Sequence, residues 1–65
     1  MEKQLMKWNS DTQAYFGTTS DGQTIRVEGD EYAEAEQDGT PEEELNDPDI
    51  WEMCIGANQN VTYVK

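Results

Sequence analysis

Apolar and polar positions alternate most cleanly between Tyr15 and Glu28, in the stretch YFGTTSDGQTIRVE. On an extended chain Tyr15, Gly17 and Thr19 face one way and Phe16, Thr18 and Ser20 the other, while Ile25 and Val27 share a face opposite Thr24, Arg26 and Glu28. A period of two with β-branched residues predicts strands. Asp21-Gly22 accepts positive φ and predicts a two-residue hairpin loop between Phe16–Ser20 and Gln23–Val27. One face of the return strand is then buried and the other wet, which leaves Arg26 toward solvent in a surface ion pair with a neighbouring carboxylate.

Met1 to Asn9, MEKQLMKWN, reads as a preceding strand with Lys3, Leu5 and Lys7 on one side and Met6 and Trp8 on the other, because a helix of barely two turns is marginal alone. Asn9-Ser10-Asp11 supplies a turn. The result is a meander of strands near 4–8, 13–19 and 24–28. From Gly29 to Gly39 the pattern divides: Asp30 caps a short helix over 31–37, or the segment is a loop or edge strand with Tyr32, Glu34 and Glu36 on one face. Thr40, Pro41 and Glu43 fit the N-cap, N1 and N3 positions of a second brief helix, which Asn46-Asp47-Pro48 ends and Leu45 alone anchors.

Asp49 to Ile55, DIWEMCI, fits a strand with Trp51, Met53 and Ile55 on one face or a helix from Pro48 closed by Gly56. The strand is favoured, because a loop over 56–60 and Val61–Val64 then complete a terminal hairpin. The predicted fold is mainly β, a small antiparallel sheet of four to five strands with one or two short helical turns; the alternative is α+β. The chain forms one acidic domain over 1–65, in which segment 28–49 joins the meander to the hairpin. Trp8, Phe16 and Trp51 are expected in the core, with Tyr15, Tyr32 and Tyr63 at its margin.

Length and charge narrow the function. A chain of 65 residues hides only about 60 % of its extended-state surface, too little to enclose a catalytic cleft. Fifteen acidic against four basic residues give a net charge of −11, beyond the charge of about 2–8 that keeps a small domain soluble. Twelve of the carboxylates fall between Glu28 and Glu52, where no Lys or Arg interrupts them. That field disfavours direct nucleic-acid and membrane partners and favours a cationic protein.

With no histidine, the usual general base and commonest metal ligand are missing. Cys54, the one cysteine, reads as a small buried hydrophobe, and its solitude indicates a reducing, cytoplasmic setting without an intrachain disulfide. No apolar run approaches 18 residues and no leader is evident. The carboxylates lack the spacing of a calcium loop and the glycines that of a phosphate loop. The expectation is a non-enzyme without cofactor or metal.

The candidate partner-binding residues are Glu28, Asp30, Glu31, Tyr32, Glu34, Glu36, Asp38, Glu42, Glu43, Glu44, Asp47 and Asp49. Residues i and i+2 of a strand lie about 6.6 Å apart, close to the roughly 6.8 Å of two phosphate steps along a DNA strand, and i, i+4 pairs on a helical turn act similarly. The expectation is therefore a stoichiometric inhibitor that mimics DNA in the basic groove of a DNA-processing enzyme or regulator, anchored by an exposed Tyr32 or part of Trp51. Viral or mobile-element accessory proteins are the analogous setting. The alternative is an assembly module that docks on a larger complex or homodimerises through an apolar edge. A purely solvated acidic loop is the blandest account of the run.

Overall fold

A computed structural model describes residues 2–55 and 61–64. Its elements are β1 (Gln4–Asn9), β2 (Ala14–Thr18), β3 (Thr24–Glu28), α1 (Gly29–Gln37), α2 (Glu42–Leu45), α3 (Pro48–Ile50), a π-helical segment α4 (Trp51–Ile55) and β4 (Val61–Val64). The strands form one antiparallel sheet in the order β1-β2-β3-β4. Helix and strand are in rough balance, so the alternative α+β class holds and the mainly β expectation is corrected. The reason lies after Glu28, where the chain turns helical three times instead of extending.

The meander is as the alternation predicts, but its central loop is not. Thr19 N–H donates to Gln23 O and Gly22 N–H to Thr19 O, with Gly22 at φ +95°. This is a type I turn followed by a left-handed glycine, a three-residue loop over Ser20, Asp21 and Gly22 in place of the expected two-residue loop. Asp21 accepts the Thr19 hydroxyl and so supports the turn. The extra loop residue sets Tyr15 opposite Val27, Phe16 opposite Arg26 and Gly17 opposite Ile25. Since a one-residue change of register exchanges faces, Phe16 lies half-buried on the outer face of the sheet, not in the core as expected. Arg26, on that outer face, pairs with Glu28 at 3.1 Å, as the sequence implies.

The inner face is closed by the helices. Met6, Ile25, Val27, Leu45 and Trp51 form the buried cluster, with Tyr15, Tyr32, Ala35 and Val61 packed against it. Trp51 is fully buried, but Trp8, expected beside it, is 48 % exposed. It stands on edge strand β1 with its ring against Gly29, where a Cβ would lie 3.1 Å from Trp8 Cζ3. Close packing of the helical layer also depends on Gly17: a Cβ there would collide with Met6 Sδ and sit 3.1 Å from Pro48 Cβ.

Helix α1 begins one residue before the predicted cap. Glu28 is its N-cap, without a side-chain bond, so Asp30 sits in the first turn rather than capping it. Its C-terminus is better built: Gly39 at φ +94° lets Gly39 N–H reach Glu36 O and Thr40 N–H reach Ala35 O, the paired bonds of a Schellman motif. Helix α2 likewise starts after Pro41 with no side-chain cap, which corrects the Thr40 capping box, and it ends at Leu45 as expected.

Asp47, read as part of a helix stop, also restarts the chain. Its carboxylate accepts Asp49 N–H at 2.9 Å and Ile50 N–H at 3.4 Å with Pro48 at N1. This cap commits 48–55 to helix and overturns the predicted strand there. The terminal hairpin falls with it, because β4 pairs instead with β3, Tyr63 opposite Ile25 and Val61 opposite Val27. The Cys54 side chain and the loop at 56–60 lie outside the described residues. Among the described residues no helix is long and apolar enough to cross a membrane.

Candidate protein-binding surface

The predicted acidic residues divide by what holds them. Glu28 is engaged by Arg26. Asp47 caps α3 and takes the Lys3 ammonium, and this hydrogen bond, opposed by some desolvation, raises the Lys3 pKa. Asp49 accepts both the backbone N–H and the hydroxyl of Ser20, which lower its pKa. Tyr32, expected as an exposed anchor, is instead half-buried between Tyr15, whose ring centroid is 3.7 Å away, and Trp51, at 6.1 Å. Its hydroxyl donates to Asn46 Oδ1 at 2.6 Å, and burial raises its pKa. Asp47, Asp49 and Tyr32 fasten the fold, while Glu28 is held in a surface pair within its own strand.

The remaining carboxylates are of another kind. Asp30, Glu31, Glu34 and Glu36 lie on α1, Asp38 caps its C-terminus, and Glu42, Glu43 and Glu44 make up most of α2. Among the described residues none of these eight forms an ion pair or side-chain hydrogen bond. Tyr32 and Ala35, three residues apart, turn α1 inward, so Asp30 and Glu34 fall on the opposite, solvent side. Asp30 and Glu31 favour the positive end of the helix dipole. Glu36 and Asp38 stand near its negative end, with no base in the last turn.

The helical layer is thus strongly acidic, whereas the open face of the sheet is mixed. There the row Lys7, Phe16, Arg26 and Thr62 crosses the four strands. Among the described residues no group of three or more carboxylates is placed to hold a metal ion.

Two exposed apolar side chains lie at the margin of the acidic layer, on the edge strand. Leu5 is 55 % exposed and lines an open groove of about 480 Å³ with Pro41, Glu42, Glu43 and Asn46. Trp8 stands further along the same edge strand and meets Tyr15 edge-on, with centroids 5.0 Å apart. The adjacent pair Leu5-Met6 was the available signal, since strict alternation can bury only one of them. Comparison with protein-family models, curated proteins and solved structures finds no match.

Proposed function

We propose that the protein is a non-catalytic docking module that attaches to a cationic surface of a larger protein assembly through the acidic layer of α1 and α2. The observation that carries this reading is the set of eight carboxylates that bond to nothing among the described residues. Neighbouring like charges at i, i+4, as in Asp30/Glu34 and Glu34/Asp38, cost a helix about 0.2–0.5 kcal/mol each. The fold therefore carries charge that its own stability does not require, and a basic partner is the complement that uses it.

The test is a binding comparison in cytoplasmic lysate between the parent and a variant neutralised on both helices, Glu31→Gln, Glu34→Gln, Glu36→Gln, Asp38→Asn, Glu42→Gln, Glu43→Gln and Glu44→Gln, at low and moderate salt. A partner held by the parent, released as salt rises and lost by the folded variant supports docking through this layer. Equal retention by both proteins overturns it.

A narrower reading, competitive DNA mimicry, draws on one feature. Residues four apart on α1 have Cβ atoms about 5–6 Å apart, a spacing from which their carboxylates can reach the roughly 6.8 Å of two phosphate steps. Under this reading duplex DNA displaces the protein from its partner; under simple docking, complex and DNA coexist.

A further inference from the structure

We infer that the groove between the Leu5 bulge and α2 is a seat for one arginine side chain projecting from a basic segment of the partner protein. This rests on the docking reading and names the contact that would give it specificity.

Three features build the seat. The β1–β2 register shifts between Gln4 and Lys7, so β1 carries an extra residue there, and such bulges re-aim a side chain away from the regular faces of a sheet. Leu5 lines the groove with Pro41 and stays 55 % exposed. The walls are fixed, because Met6 N–H donates to Asn46 O at 3.0 Å and ties β1 to the end of α2. Glu42 and Glu43 complete the lining, and neither has an ion-pair partner among the described residues.

A groove that Leu5 and Pro41 line together with two acidic residues, Glu42 and Glu43, matches one side chain well. The methylenes of arginine cover Leu5 and Pro41, and the guanidinium fork reaches the carboxylates of α2. Lysine supplies the same stem but only a point charge.

The experiment is an amide-resolved NMR titration of the full chain with a blocked Ala-Arg-Ala-Arg-Ala peptide, and with the same peptide carrying neutral citrulline for arginine. The expected result is a set of shifts concentrated at Leu5, Glu42, Glu43 and Asn46, weakened about tenfold or more by citrulline, as loss of a charge-assisted bidentate contact implies. Leu5→Ser, at an exposed position, should abolish that focus while leaving the spectrum folded. Shifts spread evenly over α1 and α2 and unchanged by Leu5→Ser would overturn the seat.

The lysate comparison separates the two ideas. A partner that Leu5→Ser still captures and the charge-neutralised variant does not would leave docking standing and remove the groove from it. Capture by both variants would remove both.

Discussion

Tyr15 and Tyr32 stack with ring centroids 3.7 Å apart and planes 11° from parallel. One ring rises from the second strand and the other descends from α1, so this contact joins the two layers. It continues to Trp8 at the sheet edge and to Trp51 in the core. Replacing Tyr32 with Phe keeps the stack but strands Asn46 Oδ1, with an expected loss of about 0.5–1.5 kcal/mol. Replacing it with Ala removes both and should cost more, but less than the about 3–5 kcal/mol of a fully buried aromatic, because Tyr32 is half-buried. Urea titrations of the two variants would check the order; equal losses would show that the stack contributes nothing.

The same tyrosine sets an alkaline limit. Burial raises its folded pKa, so its contribution is fully present below the unfolded value of about 10 and is lost as pH rises through the folded pKa. Tyr63, raised by its hydrogen bond to Glu52, acts in the same direction. Stability measured from pH 9 to 11.5 should fall more steeply for the parent than for Tyr32→Phe. Parallel profiles would contradict the assignment.

On the acid side Asp49 works in the opposite sense. Its bonds from Ser20 lower the folded pKa, so its contribution is present above the ordinary carboxylate value of about 3.9 and disappears as pH falls through the folded pKa. Asp49→Asn should flatten that part of the stability profile relative to the parent. Ser20→Ala should flatten it similarly, and a variant pair with unchanged slopes would refute the link.

Gly17 tests the closeness of the two layers. A methyl group there meets Met6 Sδ and Pro48 Cβ, so Gly17→Ala should destabilise by about 1–3 kcal/mol, as overpacking does. Shortening Met6 to Ala costs about 2–5 kcal/mol alone but opens space at that point. The double variant should therefore lose less than the two single losses combined; strict additivity would place the clash elsewhere.

Self-repulsion supplies the last prediction. With a net charge of −11 and repelling neighbours on α1, added salt should raise the melting temperature by screening. A Glu34→Gln, Asp38→Asn variant, which relieves both i, i+4 pairs and leaves the first turn intact, should melt higher than the parent, by about 0.4–1 kcal/mol in stability. A lower melting temperature would mean that these carboxylates support the fold, and the case for a partner would lose its basis.

Local chemistry made the three-strand meander legible. The alternation around Ile25 and Val27 and the turn residues at Asn9 to Asp11 act over a few positions, and the strands lie where those signals put them. Helix ends were less legible. The Gly39 signal sat two residues beyond Gln37 but was not read as a C-terminal cap, and Asp47 serves both as a stop and as a start. The acidic residues could be located but not sorted, because whether a carboxylate caps, pairs or stands free depends on neighbours distant in sequence, such as Ser20 for Asp49 and Lys3 for Asp47.

By itself, then, the sequence determined the charge, the meander and the presence of a surplus of carboxylates, since composition and period-two patterning need no distant contacts. Tertiary structure decided which face Phe16 occupies, that Trp8 is left at the edge and Trp51 enclosed, and that Val61–Val64 pairs with Thr24–Glu28. The face of Phe16 turns on a single residue of register and the enclosure of Trp51 on one helix cap. Such small local differences are settled only when two layers must close over one core.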